Sequence, residues 1–341
     1  GSLGLTISSA MIFGLVSLML LDTSINMAMQ PFKMLVGDLV NEKQKGLAYS
    51  IQSFLCNAGS LVGYLFPFIF TWIGISNIAE KGTVPNSVIY SFYIGAAILI
   101  LCVIYTVIKV KEMPPKEFES FHGISEEEKE GKTDFITLLK NAPKVFWTVG
   151  LVQLFCWAAF MYMWTYTNGG IAETVWNTRD TQSAGYQEAG NWVGVLFAVQ
   201  AIGSILWAMV IPQFKSHLKA YSISLFIGGI GFISALFFTN QYHLFISYFL
   251  IGCAWAAMLS MPFTILTNSI SGKNMGAYLG LFNGTICLPQ IIAALIGGSL
   301  LKLVGGHQVN MLVVAGVFLV VASLFVFLIK ETSFEKEHLK K

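Results

Sequence analysis

The stretch KVKEMPPKEFESFHGISEEEKEGKTDFITLLKNAPK, residues 109–144, is the one long charged connection in an otherwise apolar chain. Over the 341 residues, hydrophobic types make up 55% and charged types 11%, and mean hydropathy is +0.68. That profile is far from a soluble domain and marks an all-α polytopic membrane protein. A helix needs ~20 apolar residues to cross ~30 Å of hydrocarbon. Working outward from the charged stretch, such runs fall at 8–38, 47–73 and 88–109 before it. After it they fall at 145–167, 191–212, 221–239, 243–267, 275–301 and 309–329. The runs are continuous, without the alternating ~10-residue segments of a barrel. Nine spans are therefore predicted, three before the stretch and six after it.

Basic residues crowd alternate loops, as the positive-inside rule requires. Only Lys81, Arg179 and Lys302 of the 20 Lys and Arg fall on the other side. The stretch 109–144 and the carboxyl end are thereby placed in the cytoplasm, in a multi-pass membrane protein. With nine spans the amino end lies outside, yet it carries no signal peptide to take it there. DFITLLKNA, 134–142, reads as a short amphipathic helix on the inner membrane face. The outer segment 168–192 is polar and Gly-rich and reads as a lid or a hairpin loop.

The net charge of +2 gives no nucleic-acid footprint, and no dinucleotide, P-loop or metalloprotease motif occurs. The five cysteines lie scattered in apolar runs, where they act as small hydrophobes rather than metal ligands or disulfides. The five histidines lie in loops or at span ends, with no sign of a relay cluster. No paired carboxylates or Ser–His set share a depth, so an enzyme is not expected, and no cofactor is implied.

One span carries polar residues that need a reason. In LMLLDTSINMAMQPFKMLVGDL, 18–39, the residues Asp22, Asn26, Gln30 and Lys33 recur at helical spacing and share one face. A charge near the bilayer centre costs ~2.5–3.5 kcal/mol on insertion scales, so this face is expected to meet a bundle interior or a watery cavity. Asp22 is the acid at mid-span depth and the candidate carboxyl for coupling proton uptake to substrate binding. Lys33 and Asp38 lie nearer the cytoplasmic end, where a gate is the natural role. Gln52, Asn57, Gln153, Gln200, Asn268, Asn283 and Gln290 add neutral amides inside spans, which suits a ligand made of hydroxyl groups. Each equally suits hydrogen bonding between helices. Trp157 lies deep enough to stack on a sugar ring, whereas Trp164 and Tyr166 read as an interfacial belt.

The order of three spans, a cytoplasmic loop and six spans resembles transporters of the major facilitator type, which join two six-helix halves by such a loop. Three further helices upstream would complete twelve and return the amino end to the cytoplasm. Residues 1–109 then form part of an amino-terminal bundle, 110–144 the central loop, 145–330 the carboxyl-terminal bundle and 331–341 a tail. Within that type, Asp22, Asn26, Pro31, Lys33 and Asp38 resemble the fourth-helix signature of the plant sucrose–proton symporters and their animal and bacterial relatives, the glycoside–pentoside–hexuronide type. Ile25 stands where that signature has an Asn, and Lys33 replaces an Arg and its planar fork. GLAYSIQSFLCNAGSLVGY (46–64), LVQLFCWAAFMYMWTYT (151–167) and MGAYLGLFNGTICLPQIIAAL (275–295) are similar to further helices of that family.

The resemblance implies a monomeric, proton-coupled carrier for a disaccharide such as sucrose or maltose, working by alternating access. It implies a proton at Asp22 and sugar contacts at Asn26, Gln30, Gln153, Trp157, Asn283 and Gln290. A sodium-coupled symporter or a non-transporting sugar sensor of the same fold stays open. The partners expected are the sugar, the coupling proton and the lipid bilayer.

Overall fold

The computed structural model describes residues 12–25, 27–28, 42–75, 86–111, 135–269 and 275–330. The elements among them are helical: α1 (Ile12–Ile25), α2 (Glu42–Trp72), α3 (Asn86–Lys109), α4 (Phe135–Lys140) and α5 (Lys144–Thr174). They continue as α6 (Ala184–Val210), α7 (His217–Ser234), α8 (Leu244–Ser269), α9 (Met275–Phe282), α10 (Gly284–Leu303) and α11 (Gln308–Phe325). Two compact units divide at Cys56 and Asn57, within α2. The first unit holds α1, whose residues are exposed.

In the second unit the helix starts follow local chemistry. Pro143, extended at φ −62° and ψ 154°, precedes α5. The Ser183 hydroxyl accepts the Tyr186 N–H at 3.2 Å to start α6, and Ser216 accepts from Lys219 at 3.4 Å to start α7. Each satisfies one of the unpaired donors of a first turn. Gly305 and Gly306, at φ 92° and 72°, make the turn from α10 to α11 that a side chain would strain.

α5 packs along α11 and α10, α6 and α7 both pack on α8, and α7 also packs on α11. The core between them is apolar and continuous, from Val149 and Phe160 through Leu225, Tyr248 and Ile251 to Leu319. Polar side chains tie the layers together. Thr167 Oγ1 and Tyr248 OH, 2.8 Å apart, join α5 to α8. The Ser222 hydroxyl donates to the Ser323 carbonyl at 2.8 Å, joining α7 to α11. Tyr248→Phe should therefore cost about 1 kcal/mol, the net worth of a buried hydrogen bond, read as a lower Tm of the detergent-purified protein. An unchanged Tm would mean that Thr167 finds another hydrogen-bond partner at no cost.

Seven helices among the described residues are long and apolar enough to span a membrane: Asn86–Lys109, Lys144–Thr174, Ala184–Gln213, His217–Phe237, Leu244–Leu266, Gly280–Leu303 and Gln308–Leu328. At the first two predicted spans the described apolar stretches are shorter, Ile12–Ile25 and, within α2, Leu55–Phe66. α3 buries only Ser87 and is apolar on every side, which fits a helix surrounded by lipid. The all-α membrane bundle is as expected.

Two local expectations change. The outer connection is 175–183 rather than 168–192, because α5 runs on to Thr174 and α6 begins at Ala184. Asn168, Gly169 and Gly170 remain helical, since the two glycines let α5 approach α11; a Cβ on Gly170 would lie 3.2 Å from the Val309 Cα. The run 275–301 is broken at Asn283 into α9 and α10. The short helix expected at 134–142 is present as α4, Phe135–Lys140; the rest of the central stretch from 112 to 134 lies outside the described residues, as does the tail 331–341.

Candidate functional site

A cleft in the second unit is lined by Asn57, Ser60 and Tyr64 of α2, Trp164 of α5, Phe197, Gln200 and Ala201 of α6, and Trp255 of α8. The spacings explain why these residues meet. Asn57, Ser60 and Tyr64 lie at i, i+3 and i+7, and Phe197, Gln200 and Ala201 at i, i+3 and i+4, so each set forms one helix face. Tyr64 and Phe197 meet edge to face with ring centroids 5.6 Å apart. The lining carries amides, hydroxyls and aromatic rings, and no charge. Its volume of about 50 Å³ holds a few water molecules, so a larger ligand requires the walls to part.

Behind this lining lies an aromatic wall built on one face of α5. Trp157, Phe160 and Trp164 surround Trp255, with centroids 6.0, 4.9 and 5.9 Å from it. Gln153 is one turn before Trp157 on the same face. Gln153 has no exposed surface, and its Oε1 and Nε2, like the Trp157 Nε1, are buried without a hydrogen-bond partner. A buried amide left unpaired is rare and costs about 1–3 kcal/mol per group. Two sequence-predicted residues, Gln153 and Trp157, thus share the face of α5 on which Trp157 meets the lining residue Trp255, with donors and an acceptor to spare.

The other predicted residues are placed differently. Gln290, half-buried on α10, donates through Nε2 to the Ile286 carbonyl at 3.0 Å, so its amide is used within its own helix. Asn283 sits at the α9–α10 break with no side-chain capping bond, and neither residue lines the cleft. Asp22 lies on α1 in the first unit and is exposed there. Asn26, Gln30, Lys33 and Asp38 lie outside the described residues.

Sequence reasoning missed Tyr64, Phe197 and Trp255 and assigned Trp164 to an interfacial belt. It also read the five histidines, His307 among them, as scattered. Glu173 instead ends α5 with 8% of its side chain exposed and lies beside His307 and Arg179. His307 is more than a hundred positions from the other two, and no local spacing could have joined it to them.

With this bundle and cleft in view, the comparisons are specific about the fold. Residues 174–341 match the family model of the Major Facilitator Superfamily. Two solved structures are similar over most of the chain. One is a bacterial homolog to the human lysosomal transporter Spinster in an inward-facing, unoccupied conformation, with TM-score 0.57 and 17% identity over 89% of this chain and 74% of that one. The same homolog in an inward-facing, occupied conformation gives TM-score 0.54 and 17% identity over 90% and 74%. Among curated proteins, none matches the sequence. The chain has the all-helical major-facilitator fold that these two structures share.

Proposed function

We propose that the protein is a secondary transporter that carries a sugar, a disaccharide such as sucrose or maltose, into the cell with a proton by alternating access. The observation that supports this most is the cleft lining, in which two amides and a wall of aromatic rings occur without any charged side chain. Sugar hydroxyls both donate and accept, as Asn57 and Gln200 do, and the apolar face of a sugar ring rests on rings such as Trp164 and Trp255. A phosphate or carboxylate ligand would call for Arg or Lys in that position. As the walls part, the unpaired groups of Gln153 and Trp157 become available to the sugar. Asp22 carries the proton, Asn26 and Gln30 contact sugar hydroxyls, and Lys33 with Asp38 supports a gate. In this reading the protein acts as a monomer in the plasma membrane with its carboxyl end in the cytoplasm.

The test is external pH in lightly buffered, de-energised cells expressing the protein, on addition of sucrose, maltose or a monosaccharide. Alkalinisation by one disaccharide, lost in Asp22→Asn, is the expected result. No pH change with any sugar, despite surface-confirmed expression, would move the reading to sodium coupling or to a sugar sensor.

A further inference from the structure

At the end of α5 remote from Lys144 lies a cluster for which sugar transport has no use. The Glu173 carboxylate is largely buried, and its Oε2 accepts the backbone N–H of Gln308, the first residue of α11, at 3.0 Å. The positive end of the α11 dipole favours a negative charge there. Oε1 faces the Arg179 Nε at 3.6 Å, and Oε2 faces the His307 Nδ1 at 3.7 Å. Arg179 in turn contacts the imidazole through Nη2, which lies against Nδ1 and 2.9 Å from Nε2. A carboxylate from α5, the sole arginine of the chain from the α5–α6 connection, and the residue before α11 thus meet at one point.

The chemistry of the three groups decides what the cluster does. A guanidinium has donors and no acceptor, so it binds an imidazole only through a ring lone pair, which a neutral histidine offers and a protonated one does not. Protonation of His307 would set two cations in contact over one carboxylate. Histidine is also the side chain that ordinarily changes charge between pH 5 and 8. Arg179 and His307 keep 58% and 51% of their side chains exposed, so a proton reaches the ring from the adjacent water without crossing the bundle. The other nearby charges do not intervene. Asp180 is turned into its own bend, where Oδ1 accepts the Gln182 N–H at 3.0 Å, and Lys302 pairs with no acid among the described residues.

We propose that Glu173, Arg179 and His307 form a proton-binding site in which proton uptake at His307 displaces Arg179 and frees the connection 175–183 from the start of α11. The imidazolium takes the place of the guanidinium beside Glu173, and Arg179 passes to solvent. That connection leads into the Ser183 cap of α6, and α6 carries Phe197 and Gln200 of the cleft wall. Proton concentration on this face is thereby linked to a wall of the site, whichever solute the cleft accepts.

Hydrogen exchange on the purified protein in lipid nanodiscs, between pH 8 and pH 5 and corrected for the intrinsic pH dependence of exchange, tests the proposal without any solute. Exchange in 175–183 should rise severalfold in the wild type as pH falls, while α8 stays protected. His307→Gln should hold the slow, high-pH rate throughout, and His307→Lys the fast rate throughout. A wild-type segment equally protected at both ends of the range, or a pH step that survives in His307→Gln, would overturn it. Should both His307 variants fail to fold, Arg179→Gln decides: it must exchange fast at every pH, and a surviving pH step in it rejects the site.

Discussion

Gln153→Leu should make the purified protein more heat-stable and, in the same preparation, abolish sugar uptake. Gln153 is fully enclosed with both polar atoms of its amide unpaired. Each such group costs about 1–3 kcal/mol, and leucine fills nearly the same volume with no polar atom. The exchange should therefore gain about 2 kcal/mol or more. A glutamine retained for packing or for a helix–helix hydrogen bond predicts the opposite, lower stability with uptake little changed. Thermal unfolding in detergent alongside uptake of labelled disaccharide separates the two. If stability and uptake fall together, Gln153 is a structural residue and the cleft must find its polar contacts elsewhere. Trp157→Phe is the milder companion, since it removes one unpaired N–H and keeps an aromatic ring beside Trp255.

Opposite signs for stability and function at one position also show what a sequence can and cannot disclose here. The membrane bundle was legible because continuous apolar runs and lysine asymmetry are properties of local composition. Gln153 and Trp157 could be singled out because a polar residue inside such a run is conspicuous, and their i, i+4 spacing puts them on one face. The cleft itself was hidden. Trp164 and Trp255 are 91 positions apart in sequence, and a tryptophan near the end of a span looks the same whether it meets headgroups or another ring. The end of α5 was misplaced for a related reason. Asn168, Gly169 and Gly170 are turn signals by composition, but Gly170 is needed for contact with Val309, a neighbour that only the folded chain supplies. Glu173, Arg179 and His307 came together by the same long-range packing.

Close approach between backbones also sets the second large effect, expected for Gly252→Ala. A Cβ on Gly252 would lie 2.8 Å from the Ser204 nitrogen, and nearer still to the Gln200 carbonyl oxygen. On the facing helix, a Cβ on Gly203 would lie 3.1 Å from the Phe249 Cα. The obstacles are backbone atoms, which cannot rotate away as a side chain would, so α6 and α8 must move apart along their whole crossing. Overpacking that side chains can absorb costs about 1–3 kcal/mol; with backbone on both sides the cost should reach about 3 kcal/mol or more. Gly298→Ala on α10 is the control, because nothing lies within 4 Å of its Cβ position. That change should instead gain about 0.5–1 kcal/mol from helix propensity. Function should follow stability at Gly252, since Gln200 stands at this crossing and also lines the cleft. Any Gly252→Ala protein that folds should take up sugar with a raised KM, because Gln200 has been carried away from Trp255. A Gly252→Ala protein with wild-type Tm and KM would show that α6 and α8 do not cross this closely, and the position of Gln200 in the cleft would fall with that contact.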